Sequence, residues 1–205
     1  MTIWYIARGA GLAALVLLTV STCVGALMSG RGRAVRGIEN RVVWHYVHRV
    51  SASLGLAVLT VHIGAILADS YAKVGWVAAL VPFTSAYRPT WVGLGTLAVY
   101  TFIFVAAIGA ARGRFAATRR GTAIWRGLHS LAYLGWGMAA WHGFASGTDS
   151  SLGWVRLLYI GSAVAVIGCL VARLGRLQRP GLIRHHAPAA VAQQLTQPFT
   201  VAGAR

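Results

Sequence analysis

The chain has 205 residues, of which 57% are hydrophobic and only 11% charged, with a mean hydropathy of +0.65. A soluble domain carries about 25% charged residues, and disorder requires low hydrophobicity, so both classes are excluded. Eighteen arginines and one lysine face three acids, Glu39, Asp69 and Asp149, for a net charge of +16. So basic a chain invites a nucleic-acid reading. The arginines, however, cluster between long apolar stretches, which is how membrane proteins mark their cytoplasmic loops. The composition therefore predicts an all-α, polytopic membrane bundle with no nucleic-acid partner.

A helix crossing the hydrocarbon core needs about 20 mainly apolar residues. Five stretches qualify, roughly 4–28, 42–68, 91–111, 123–145 and 153–174. The first has the apolar centre of a signal peptide, but its positive charges (Arg31, Arg33, Arg36) follow that centre instead of preceding it, so it reads as an uncleaved helix. Four arginines lie in 29–41, four in 112–122, and Arg173, Arg176, Arg179 and Arg184 open the tail. The alternate connections, 69–90 and 146–152, are poor in basic residues. By the positive-inside rule the N-terminus faces out and the C-terminus in. The run Gly75 to Phe83 is too short to span and fits the outer interface, where Trp prefers to sit. Residues 1–175 form the bundle; 176–205, rich in Ala, Gln and Pro, reads as a loosely ordered cytoplasmic tail. Cys23 and Cys169 have no metal-ligand spacing and read as small buried hydrophobes.

Five of the seven histidines fall in the second and fourth spans: His45, His48, His62, His129 and His142. Ionisable residues inside a span are rare and usually functional, although a lone histidine can simply bridge two helices. Here the arrangement is paired. His48 and His62 are 14 residues apart and His129 and His142 are 13 apart, about 20 Å along each helix. Each outer histidine lies seven residues before an aspartate, Asp69 or Asp149. Two co-directional helices thus offer histidines at two matched depths. The surroundings echo each other, with Trp44 and Trp125 four residues before His48 and His129, and Leu54-Gly55 matching Leu134-Gly135. Whether this is an internal repeat is open from one sequence. A 14-residue step returns to within about 40° of the same face, whereas a 13-residue step misses by about 140°. The fourth span must therefore be irregular, with Gly135 and Gly137 as candidate sites.

Two imidazoles facing each other across a bundle suit a metal, and a metal-bearing macrocycle is the natural guest. Zinc would need three or four ligands at one depth, and no carboxylate or thiol is near to complete the set. Bis-histidine haem needs only two. Gly55, Gly64, Gly127, Gly135 and Gly137 can let backbone approach a flat ring or can equally serve ordinary helix packing. Arg49 and Arg126 at the inner end, and Arg8 and Arg156 at the outer end, are candidate partners for the anionic propionates, with snorkelling to headgroups as the rival role. His45, one turn from His48, reads as a supporting or propionate-binding residue. His185 and His186 sit in the polar tail.

The stretches Trp44 to Tyr71, Val74-Gly75-Trp76 to Pro89, and Trp125 to Asp149 resemble the ferric reductase-like transmembrane domain. Ferric reductases, NADPH oxidases and the haem-binding membrane subunit of the bacterial methionine-sulfoxide reductase system share that domain. The likeness covers about 40–175 and includes the 14 and 13 spacing of the histidine pairs. It implies a multi-pass protein of the bacterial inner or plasma membrane carrying two stacked haem b groups. His48 and His129 would ligate the inner iron, and His62 and His142 the outer. It implies transmembrane electron transport by a cytochrome b, an oxidoreductase component. The donor would be a cytoplasmic flavoprotein reductase or membrane quinol; the acceptor would be an extracytoplasmic protein, a ferric complex or oxygen. No glycine fingerprint in a strand-turn-helix context is present, so no flavin or nicotinamide site is expected in this chain. One variant of the reading is a dedicated haem subunit reducing a single extracytoplasmic partner, such as an FMN-binding or molybdenum-containing protein. A different class, a small transporter or structural subunit without haem, predicts mid-membrane carboxylates, which the spans lack.

Overall fold

The computed structural model describes residues 2–28 and 38–177, all-α with no strand among the described residues. In chain order the helices are α1 (Thr2–Met28), α2 (Ile38–Ala68), α3 (Trp76–Leu80), α4 (Pro89–Ala110), α5 (Arg112–Phe115), α6 (Arg119–His129), α7 (Ala132–Ser146) and α8 (Gly153–Leu177). Four of them, α1, α2, α4 and α8, are long and apolar enough to cross a membrane. The basic cluster Arg31, Arg33 and Arg36, the tail from 178 onward, and His185 and His186 lie outside the described residues.

The stretch expected as one span over 123–145 is instead two helices, α6 and α7, joined at Ser130–Leu131. The irregularity expected at Gly135 or Gly137 therefore falls earlier, directly after His129. Ser130 and Leu131 keep right-handed helical dihedrals. Leu131 N, however, bonds to Leu128 O at 3.2 Å and Tyr133 N to Ser130 O at 3.1 Å, each reaching back three residues instead of four. The Ser130 hydroxyl also donates to Gly127 O at 2.6 Å. Such a tightened turn advances about 120° per residue against about 100° in an α-helix. It adds rotation in the direction that the shorter histidine step lacks. Gly135 packs instead on Thr101 and Phe102 of α4.

Two antiparallel hairpins organise the bundle. α1 packs chiefly on α2, and α4 on α7 and α6, while α8 lies against α1. The two histidine-bearing segments, α2 and α6–α7, do not pack appreciably on each other; each lies on its own hairpin partner. A small core of Leu15, Leu18, Ala98, Phe102, Trp136 and Val166 joins the hairpins. Within it Trp136 Nε1 donates to Thr19 Oγ1 at 2.9 Å, and that hydroxyl donates to Leu15 O at 2.7 Å. No polar atom of this chain of bonds is left unpaired in a region without water.

The outer surface is apolar. On α8, Leu157, Ile160, Val164, Ile167 and Val171 form an exposed stripe at helical spacing, the arrangement of a lipid-facing side. At the outer end, the short α3 exposes Trp76, Val77 and Leu80, as the run from Gly75 to Phe83 led us to expect. It is tied to α4 by hydrogen bonds from Thr96 Oγ1 to Ala78 O and from Tyr100 OH to Leu80 O. Phe83, held at φ 68°, lays its ring where a Cβ on Gly93 would stand.

Candidate functional site

Each of the four paired histidines lies against a glycine of the neighbouring helix. A Cβ on Gly11 would stand 3.0 Å from the His62 ring, and one on Gly25 3.2 Å from His48. In the second hairpin a Cβ on Gly95 would stand 2.7 Å from His142, and one on Gly109 3.3 Å from His129. In a helix the side chain at one position shields the carbonyl four residues earlier. Removing that side chain opens the carbonyl to a partner. His62 Nδ1 accordingly lies 2.7 Å from Ala7 O, His48 Nδ1 2.9 Å from Ser21 O, and His142 Nδ1 2.7 Å from Trp91 O. In all three the acceptor precedes the glycine by four residues. His129 follows the same placement toward Val105 O, four residues before Gly109, but its buried Nδ1 falls short of a full hydrogen bond.

A carbonyl only accepts, so the bonded Nδ1 atoms carry the hydrogen and the neutral rings keep their Nε2 lone pairs. Among the described residues, no hydrogen bond reaches any of these Nε2 atoms. An imidazole held by Nδ1–H to a backbone carbonyl, with Nε2 free, is how metal-ligating histidines are commonly oriented.

The pairs open onto two cavities. His48 and His129 line an inner cavity of about 950 Å³ and His62 and His142 an outer one of about 340 Å³. Leu18 and Phe102 belong to both linings and form the wall between them. The inner rings lie edge to face, with centroids 6.2 Å apart and planes inclined by 70°. With metal–nitrogen bonds of about 2.0–2.1 Å and the ring centre about 1 Å behind the nitrogen, two imidazoles on opposite sides of one metal have centres about 6 Å apart. The centroid separation of the inner pair matches that distance. No cluster of three or more His, Cys, Asp or Glu that could hold a metal occurs among the described residues.

Trp125 stacks on His129, with centroids 5.0 Å apart and planes 14° from parallel, and its Nε1 donates to Ile108 O. Trp44 lines the same cavity but is not stacked on His48, so the matched Trp–His spacing has only one structural use. His45, Arg49 and Arg126 all line the inner cavity, as do Arg41, Arg112 and Arg173, which had not been singled out. Among the described residues, no carboxylate lines it. At the outer cavity Arg8 is already engaged in an ion pair with Asp149, and both line its rim. Arg156 is exposed and absent from that lining, the placement that suits the snorkelling alternative.

The candidate glycines, open to ring approach or to helix packing, line neither cavity. Gly55 packs on Leu17 and Leu18, Gly135 on α4, and Gly64, Gly127 and Gly137 lie exposed outside both cavities. The four that matter carry a signal in the sequence all the same. Gly11 and Gly25, and Gly95 and Gly109, are each 14 residues apart, on the helix preceding each histidine pair. No protein-family model, curated protein or solved structure matches the chain, and its site is read from geometry and chemistry alone.

Proposed function

We propose that the chain is a di-haem membrane cytochrome b that relays electrons across the bilayer. In this reading His48 and His129 hold the inner haem and His62 and His142 the outer. The donor is a cytoplasmic flavoprotein or membrane quinol, and the acceptor lies on the extracytoplasmic side. The observation that carries it is the fourfold repetition of one unit, an imidazole seated on a glycine beside the carbonyl four residues earlier. A histidine serving only as an interhelical bridge needs neither a free Nε2 nor a facing partner. Haem supplies reversible one-electron chemistry, and an iron with both axial positions filled favours electron transfer over ligand binding.

The chain's own residues do the rest. The carbonyls of Ala7, Ser21 and Trp91 fix the orientation of three ligands, and Trp125 fixes the fourth. Arg49 and Arg126 supply cations for propionates at the inner end, with His45 beside them. Leu18, Phe102 and Trp136 keep the interval between the sites apolar. The direct test is a reduced-minus-oxidised spectrum of the purified full chain with a haem-to-protein ratio. Two b-type haems per chain are expected, and His45→Ala should leave that ratio intact. A chain that stays colourless when haem is supplied refutes the reading.

A further inference from the structure

The inner cavity holds more positive charge than a haem needs. Its lining includes Arg41, Arg49, Arg112, Arg126 and Arg173 and, among the described residues, no carboxylate, whereas a haem brings two propionates, for which the reading above already uses Arg49 and Arg126. Arg41, Arg49, Arg112 and Arg126 are exposed and Arg173 is half-buried, and like charges gathered around one cavity repel unless an anion is placed among them. Two of the surplus arginines are also held in place. The Arg112 guanidinium lies 5.2 Å from the centre of the Trp125 ring. That of Arg173 lies 5.5 Å from the Tyr133 ring centre and donates to the Tyr133 hydroxyl at 2.7 Å. Trp125 and Tyr133 are themselves lining residues. A guanidinium anchored on an aromatic face keeps most of its five N–H donors for a ligand.

We propose that the inner cavity contains a second anion site, beside the haem of the reading on which the count of surplus cations rests, where Arg112 and Arg173 clamp a phosphate group. Planar guanidinium forks match phosphate oxygens two at a time, and the pair comes from α5 and α8, elements that contribute no haem ligand. The phosphate can belong to an acidic phospholipid of the cytoplasmic leaflet or to a soluble phosphate-bearing molecule. The chemistry the site recognises is the same for both.

The test uses the haem-loaded full chain. Calorimetric titration with inorganic pyrophosphate in an uncharged detergent probes the soluble source, with chloride at equal ionic strength as control. Native mass spectrometry after exchange from nanodiscs of phosphatidylglycerol or of phosphatidylcholine probes the lipid source. One phosphate-bearing probe is expected to bind at one per chain, and Arg112→Gln with Arg173→Gln should weaken it at least about tenfold while the haem ratio stays unchanged. Pyrophosphate binding assigns the soluble source, and selective retention of phosphatidylglycerol assigns the lipid. If the double variant does not fold, Arg112→Lys and Arg173→Lys are read singly; each keeps the charge, loses the fork and should still weaken the probe. Two haems per chain with neither probe bound above its control overturns the proposal, as does a double variant that loses haem and not the probe. A chain without haem that still binds the probe refutes the electron-transfer reading and leaves the anion site standing.

Discussion

The inner and outer cavities are built alike and charged differently. Both are bounded by one histidine from each hairpin, and both histidines of each pair rest on glycines at the same depth. The inner cavity, however, is lined by five arginines and, among the described residues, by no carboxylate, while in the outer cavity Arg8 is neutralised by Asp149. The shared plan is a matter of backbone and ring placement, fixed by steric access to four carbonyls. Charge, in contrast, is set at the rims, where the topology of membrane insertion already concentrates arginine on one side. One scaffold can therefore give two similarly built histidine pairs different electrostatic surroundings without moving either pair.

The largest test of the common plan is ligand removal. His48→Ala or His129→Ala should take the haem ratio from two to one with loss of the inner centre, and His62→Ala or His142→Ala should do the same for the outer. Loss of both centres from any one of these variants would show that the two sites are not independent. Next in size are the glycines. A Cβ at position 95 would come 2.7 Å from the His142 ring, against 3.3 Å at position 109 from His129. Gly95→Ala should therefore displace its histidine and weaken the outer haem by about 1–3 kcal/mol, whereas Gly109→Ala should be nearly silent in a haem-retention assay. Equal effects would break the steric account.

The charge difference is tested by potential. A surplus of cations stabilises the more negative, reduced form of a haem centre, so Arg49→Gln or Arg126→Gln should lower the inner midpoint and leave the outer one in place. Spectroelectrochemical titration reads this, with about 59 mV marking a tenfold change in a one-electron equilibrium. The smallest effect is expected at the wall between the cavities. Thr19→Val removes the acceptor of Trp136 Nε1, and an interhelical hydrogen bond in a membrane bundle averages about 0.6 kcal/mol. Thermal melting should shift slightly, with both haem bands affected alike.

The histidines and spans were legible because an ionisable group inside an apolar helix stands out against its surroundings. Their glycine partners were less so. The 14-residue spacing of Gly11 with Gly25 and of Gly95 with Gly109 is present in the sequence, but among 25 glycines it takes the neighbouring helix to tell Gly11 or Gly95, each seated on a histidine, from Gly64 or Gly137, which face outward. The break between α6 and α7 was expected at a glycine because glycine lowers helix propensity. It arises at Ser130 and Leu131, from a run of three-residue backbone bonds and a hydroxyl bonding back to Gly127, which propensity does not register. Arg49 and Arg126 stood out by lying beside the inner histidines, whereas Arg41, Arg112 and Arg173 were indistinguishable from other cytoplasmic arginines because the positive-inside rule accounts for all of them equally. The Arg8–Asp149 pair joins positions 141 residues apart, and no local pattern announces it.

The two hairpins run the same way through the bundle, and each contributes one imidazole to each cavity. Each cavity is therefore closed only when the two hairpins come together, and any change that loosens their packing opens both cavities at once.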